Sequence, residues 1–302
     1  MTFRKKSLRI GLILTLLFLV ASEIILRLKW GFCDAVLFRE DKDYEYIAIP
    51  QKRVRFGNHI FYNSLSQRND ELSESDSVRI LFFGDSVING GTQTDQDSLA
   101  TTKLSRYLTL KYKKPVKVLN ISAGSWGPDN CFAYLKQKGN FDAKEIVLVV
   151  SSHDAYDDMT FSKTVNAYPN YPSKQYTFAT AELLQRYIFP RLFQTKATTE
   201  LDNLLINKKT ANSMFNSGFE NFLDYTTSHK IPFTVYLHAD RQENEDRRYN
   251  SQGMEIIDFC SKKNIPIIKE LDFHLDKENY RDEIHLNNNG QRKLFEIVRD
   301  SL

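Results

Sequence analysis

Residues 78–91 read VRILFFGDSVINGG, an apolar run followed directly by Gly84-Asp85-Ser86. A short apolar run that ends at a glycine is typical of a strand buried on both faces, as in a parallel sheet covered by helices. In such sheets the residues that follow the carboxyl ends of the strands meet at one edge, where binding sites form. Asp85 and Ser86 are therefore predicted to lie at a site.

Four more apolar runs of strand length follow, and they alternate with amphipathic segments of helix length. This alternation predicts a three-layer α/β/α sandwich around a five-stranded parallel sheet. The predicted strands are Val78–Phe83, Val116–Ile121, Ile146–Ser151, Phe233–Leu237 and Ile265–Lys269. The predicted helices are Ser98–Lys111, Asp129–Lys138, Asn212–Ser228, Ser251–Lys262 and Asn289–Asp300.

Three residues of the kind that nucleophilic catalysis needs stand where one cleft can gather them. Ser86 follows the first strand, and Asp282 and His285 lie in the string DEIHLN just before the last helix. Such catalysis uses a hydroxyl, a base that takes its proton and a carboxylate that orients the base. The alternatives are that Ser86 is only a turn residue and that Asp282 and His285 are solvated residues before a helix.

Gly84-Asp85-Ser86 after an apolar strand, combined with Asp282-x-x-His285-Leu-Asn before a terminal helix, resembles the SGNH/GDSL hydrolase superfamily over residues 78–302. The resemblance implies a flavodoxin-like fold with Ser86 as nucleophile, His285 as general base and Asp282 as the residue that orients it. It also implies an oxyanion hole that includes the backbone N–H groups of Ser86 and Gly124. We expect no cofactor and no metal.

One block departs from the family pattern, which is usually Gly-x-Asn-Asp with the Asn amide donating to the oxyanion. Here the string is Ser151-Ser152-His153-Asp154, so His153 occupies the Asn position. Imidazole donates one N–H when neutral and two when protonated. His153 is predicted either to replace the amide donor or to be a buried histidine bonded to the backbone, which would leave the hole with two N–H groups.

The N-terminus is predicted to be a membrane anchor. A basic cluster precedes the apolar run Ile10–Ala21, and Leu8–Leu28 reaches the roughly 20 residues that a spanning helix needs. Basic residues before the helix predict a cytoplasmic N-terminus and an extracytoplasmic body. A cleaved signal peptide is the alternative, but no convincing small-x-small cleavage site follows the run, which favours an uncleaved anchor in the cytoplasmic membrane.

The charge distribution separates this anchor from the rest of the chain. The formal net charge is +3, yet residues 1–30 hold six Lys or Arg and one acid, which leaves 35 basic and 37 acidic residues in 31–302. A slightly acidic body argues against a nucleic-acid partner. The predicted organisation is an anchor at 1–30, a linker with some strand content at 31–77 and a catalytic domain at 78–302.

Residues 155–210 form an aromatic-rich insertion in that domain, predicted as a lid or substrate wall or, alternatively, as a small satellite core. Within the linker, residues 61–72 (FYNSLSQRNDEL) are similar to a segment of membrane-anchored members of bacterial surface-polysaccharide systems.

The sequence thus predicts a membrane-anchored serine esterase that removes O-acetyl or similar acyl groups from extracytoplasmic carbohydrate through an acyl-enzyme on Ser86. The expected partners are an acylated carbohydrate or another ester substrate and the membrane. One alternative is an O-acyltransferase that uses the same three residues with a sugar hydroxyl as acceptor. The other is an inactive binding or scaffold subunit of a surface-polysaccharide assembly system.

Overall fold

The computed structural model describes residues 2–192, 214–273 and 275–301, and side-chain surroundings from residue 9 onward. Its strands are β1 (Phe38–Asp41), β2 (Glu45–Ala48), β3 (Gln51–Arg55), β4 (Asn58–Tyr62), β5 (Val78–Gly84), β6 (Val116–Ser122), β7 (Glu145–Ser151), β8 (Phe233–His238) and β9 (Ile267–Lys269). Its helices are α1 (Thr2–Trp30), α2 (Ser86–Asn89), α3 (Ala100–Tyr112), α4 (Pro128–Lys138), α5 (Ala179–Leu183), α6 (Phe189–Leu192), α7 (Gly218–His229), α8 (Arg241–Asp246), α9 (Ser251–Lys263) and α10 (Asn288–Ser301).

Strands β5 to β9 form one parallel sheet in the order β6-β5-β7-β8-β9. The predicted five-stranded parallel sheet is confirmed, and each predicted strand overlaps an observed one. Strand β9 begins at Ile267, two residues later than predicted, because Pro266 has no N–H to give to the ladder.

Successive side chains of β5 point to opposite faces of the sheet, and each face is covered by its own helices. Leu81 and Phe83 share a core with residues of α4, α7 and α9, whereas Ile80 and Phe82 share a second core with residues of α3 and α10. Burial on both faces explains why these strands have no polar alternation. The predicted three-layer sandwich is confirmed.

The segment before the sheet contains two antiparallel hairpins, β1-β2 and β3-β4. Tyr44 packs its ring 5.5 Å from that of Trp126 and 5.4 Å from that of Tyr134. The Trp126 indole N–H also donates to the carbonyl of Tyr46 at 3.0 Å. The first hairpin therefore completes one face of the sheet core.

The predicted insertion lies partly within the described residues. The last part of the insertion, residues 193–210, lies outside the described residues. The first two residues of the predicted helix Asn212–Ser228 lie outside them as well. In the described part, the N–H of Phe38 donates to the carbonyl of Pro172 at 2.9 Å, and the ring of Tyr171 lies 5.0 Å from that of Phe38. The insertion thus packs on the first hairpin, next to the sheet edge that carries Gly124.

Candidate active site

Ser86 stands on a strand-to-helix turn. Strand β5 ends at Gly84, and the Asp85 carboxylate caps α2 by accepting the N–H of Val87 at 2.8 Å. A Cβ on Gly84 would lie 2.7 Å from the carbonyl oxygen of Val149, so only glycine allows the two strands to approach this closely. The turn leaves the Ser86 side chain partly exposed at the carboxyl edge of the sheet.

The three residues predicted for nucleophilic catalysis meet at this edge. His285 Nε2 lies 2.9 Å from Ser86 Oγ, and His285 Nδ1 lies 2.9 Å from both carboxylate oxygens of Asp282. In such an arrangement the imidazole can take the proton of the serine hydroxyl, and the carboxylate orients the imidazole and stabilises its charged form.

The loop that carries Asp282 and His285 is held by its own hydrogen bonds. Asp282 Oδ1 accepts the N–H groups of His285 at 2.8 Å and Ile284 at 3.1 Å. Burial would raise the pKa of Asp282, but these N–H groups and the imidazole outweigh it and hold the pKa below its usual value. Arg281 Nη1 donates to the Gly90 carbonyl at 3.1 Å, which ties the loop to the end of α2.

A fully buried pair lies behind this loop. His238, the last residue of β8, places Nδ1 2.8 Å from Glu270 Oε2 and Nε2 2.8 Å from the carbonyl of Ile284, the residue before His285. Both partners are acceptors, so the imidazole satisfies both only when it is protonated. Desolvation lowers the pKa of His238, but the Glu270 carboxylate outweighs it and raises the pKa to about 9.

Gly124 follows β6, the strand next to β5, so the segments after both strands meet at the same edge. Two tyrosines surround it. Tyr46 Oη donates to the Gly124 carbonyl at 2.5 Å, and a Cβ on Gly124 would lie 2.6 Å from Tyr171 Oη. Sequence reasoning did not assign either tyrosine to the site, since they come from the first hairpin and the insertion.

His153 is the second residue of the turn Ser152–Ala155, which directly follows β7. Its side chain is 47% exposed, and neither ring nitrogen hydrogen-bonds to a residue that the structure describes. Desolvation lowers its pKa, but the carboxylates of Asp154, Asp85 and Asp157 outweigh it and raise the pKa above the usual value. The surroundings differ from those of a buried histidine bonded to the backbone, and they leave the imidazole able to donate to a ligand.

Asp85, His153 and Asp154 are the one group among the described residues whose ligand atoms, all within 4.8 Å of one another, could hold a metal ion. Asp154 is fully buried, and burial raises its pKa, whereas the charge of the neighbouring His153 imidazole lowers it. We assign no metal to this group.

No protein-family model matches the chain, and no curated protein matches it. Among solved structures, it is similar to the esterase EstA from Pseudoalteromonas sp., at 12% identity over 74% of this chain and 95% of that one, with a TM-score of 0.41. It is similar to TesA, at 13% identity over 74% and 97%, with a TM-score of 0.46.

A further similar structure is a member of the lipolytic G-D-S-L family from Veillonella parvula, at 12% identity over 74% of this chain and 97% of that one, with a TM-score of 0.41.

Proposed function

We propose that this protein is a serine esterase of the SGNH/GDSL type. The observation that carries the proposal is the hydrogen-bonded chain from Ser86 through His285 to Asp282, with 2.9 Å at each step. Ser86 Oγ attacks the ester carbonyl carbon while His285 Nε2 takes its proton, and His285 then returns that proton to the leaving alcohol. Water, deprotonated by His285, then attacks the acyl carbon, and His285 gives this proton to Ser86 Oγ as the acyl–oxygen bond breaks and the acid leaves.

The negative charge on the former carbonyl oxygen needs donors that are in place before the reaction. We assign this role to the N–H groups of Ser86 and Gly124 and to the imidazole of His153. Two observations support the assignment: Gly124 follows β6, whose last residue Ser122 pairs with Gly84, and the His153 imidazole is exposed, with Nε2 3.7 Å from Asp154 Oδ1. The raised pKa of His153 increases the protonated fraction at neutral pH, which favours donation.

The site is open, and this openness supports a large substrate. The side chains of Asp282 and His285 are 50% and 28% exposed. An acyl group on the surface of a polymer can reach such a site without being enclosed. We infer an O-acetyl or similar small acyl ester on carbohydrate, with Tyr171 of the insertion beside Gly124 as an aromatic contact for a sugar ring.

We also propose that α1 anchors the enzyme in the cytoplasmic membrane with its N-terminus inside. Residues Arg9–Trp30 form a helix long and apolar enough to cross a membrane, and a signal sequence has the same character. Two side chains near its end join α1 to the body. Glu23 accepts the N–H of Ala179 at 2.7 Å, and Arg27 donates to the carbonyl of Thr177 at 2.6 Å.

An ester-hydrolysis assay on the purified full chain tests the activity. We expect acetate release from acetylated oligosaccharide, and a loss in kcat of about 10⁴ or more in Ser86→Ala and in His285→Ala. Ser228→Ala, at an exposed serine of α7, is the matched control and should match the wild type. Folded wild-type protein that releases no more acetate than Ser86→Ala would refute the proposal.

Unacylated oligosaccharide added to the same assay distinguishes hydrolysis from transfer. A hydrolase releases free acetate whether or not the acceptor is present, whereas a transferase forms a new sugar ester at the expense of acetate release. We expect acetate release to be unchanged.

A further inference from the structure

The insertion contains a helical segment that is attached to α1. Helix α5 continues through a π-helical turn into α6, so residues 178–192 run on as one segment. Its first turn is capped by the anchor, because the Glu23 carboxylate accepts the N–H of Ala179 at 2.7 Å and that of Thr180 at 3.1 Å. An acidic side chain at a helix N-terminus satisfies free donors and complements the helix dipole.

These contacts place the start of the segment within the predicted membrane span. Glu23 lies seven residues before Trp30, which corresponds to about 10 Å along α1, and it belongs to the span Arg9–Trp30. The segment therefore begins below the end of the spanning helix, at the depth of the interface between lipid and water.

The other side of the segment is fixed to the body by a buried ion pair. Glu182 Oε1 lies 2.6 Å from Arg55 Nη2 of β3, and both side chains are almost completely buried. Glu182 Oε2 accepts the N–H of Cys33 at 2.6 Å, and Arg55 Nη1 donates to the carbonyl of Gly31 at 2.8 Å. The segment, the end of α1 and the second hairpin thus form one rigid unit.

This rigid unit leaves apolar side chains facing outward. The exposed fractions are 62% for Phe178, 40% for Leu184, 44% for Phe189 and 70% for Leu192. Trp30 is 38% exposed at the end of α1. Large apolar side chains grouped next to a membrane span, with an interfacial tryptophan, are typical of a surface that contacts lipid.

We propose that residues 178–192 lie in the extracytoplasmic interface of the membrane that α1 crosses, with the side chains of Phe178, Leu184, Phe189 and Leu192 in contact with phospholipid. The proposal rests on the proposed anchoring by α1. The proposal is based on the attachment of this segment to the spanning helix. Because Glu23 of α1 caps the segment, the segment cannot leave the membrane surface while this contact holds. The membrane then fixes the orientation of the catalytic body as well as its location.

Fluorescence quenching by spin-labelled lipid tests the proposal on the full chain in vesicles of phosphatidylcholine and phosphatidylglycerol. Single cysteines are introduced as Phe178→Cys and Leu192→Cys in a Cys33→Ser background, because Cys131 and Cys260 are buried. Each cysteine carries an environment-sensitive fluorophore. We expect loss of fluorescence at both positions with spin labels placed near the headgroups.

Two matched positions make the result decisive. Met254→Cys, at a 48% exposed site on α9, should not be quenched, and Leu16→Cys in α1 should be quenched by deep spin labels. Quenching at Leu16 without quenching at Phe178 and Leu192 would overturn the interfacial segment and leave the anchor standing. Absence of quenching at Leu16 would overturn the anchor and the inference that rests on it.

Discussion

Asp282 and His285 are three residues apart. Because of this spacing, the Asp282 carboxylate accepts hydrogen bonds both from backbone N–H groups and from the imidazole of His285. Asp282 Oδ1 accepts two N–H groups of the loop and also contacts His285 Nδ1. The same hydrogen bonds that shape the turn therefore orient the base, which needs no further residue to select its tautomer. This arrangement explains why the string DEIHLN can be recognised in the sequence.

His153 is the residue whose role is least determined by the family pattern, and substitution tests it. If its imidazole donates to the oxyanion, His153→Ala should lower kcat by about 10²–10³ with little change in KM. His153→Asn places an amide donor there and should recover most of that loss. Steady-state kinetics on an acetyl ester measure both values, and circular dichroism controls for folding. Equal activity in the alanine variant and the wild type would contradict the assignment.

At the scale of the elements, the buried pair His238–Glu270 joins the end of β8 to the loop that carries Asp282 and His285. Other ionisable groups around His238 are Tyr236 and Tyr280, which hydrogen-bond to the same carboxylate, and the nearby Tyr249 and Asp85. Burial raises the pKa of all three tyrosines, so they remain neutral while His238 titrates. The imidazolium is the cation that holds the Ile284 carbonyl in place.

This pair predicts a loss of stability at alkaline pH. The pKa of His238 is raised in the folded state, so its contribution is complete below about pH 6.5 and is lost as the pH rises through about 9. The free energy of unfolding in urea, measured from pH 6 to 10, should fall over this range in the wild type.

Substitution of His238 tests whether its titration causes the alkaline fall in the free energy of unfolding. His238→Gln should be less stable at pH 6, less dependent on alkaline pH and lower in kcat, because the loop before His285 loses its support. His229→Gln, at an exposed histidine of α7, serves as control and should follow the wild type. An alkaline fall of the same size in His238→Gln would show that another group titrates.

The sequence predicted the sheet, and it predicted that Ser86, Asp282 and His285 come together, because both features leave local signals. Strands buried on two faces are uninterrupted apolar runs, and Ser86, Asp282 and His285 stand in short strings with recognisable spacing. The supporting contacts leave no such signal. Tyr46 is 78 residues from Gly124 and His238 is 32 residues from Glu270, so only the folded chain shows that they meet.

At the scale of the whole molecule, the anchor and the body share contacts. Glu23 and Arg27 bind residues of the insertion, 156 and 150 positions away in sequence. In the proposed orientation, the basic residues before Ile10 lie at the cytoplasmic end of α1. Glu23 and Arg27 lie near the opposite end, where α1 contacts the body.

Truncation measures how much the contacts of Glu23 and Arg27 stabilise the body. A chain that lacks residues 2–21 keeps Glu23 and Arg27, whereas one that lacks residues 2–30 loses both. Removing a helix cap typically costs about 0.5–2 kcal/mol, so the longer deletion should lower the free energy of unfolding by about that amount relative to the shorter one. Urea unfolding in the same detergent measures the difference. Equal stability of the two truncated chains would show that the contacts to α1 do not stabilise the body.

The central claim is that Ser86 is a nucleophile activated by His285, and covalent labelling tests it most directly. Treatment of the full chain with a fluorophosphonate, followed by peptide mass spectrometry, should give a single adduct on the peptide that contains Ser86. The adduct should be absent in Ser86→Ala and form much more slowly in His285→Ala. Folded wild-type protein without an adduct at Ser86, or labelling equal to that of His285→Ala, would contradict the claim.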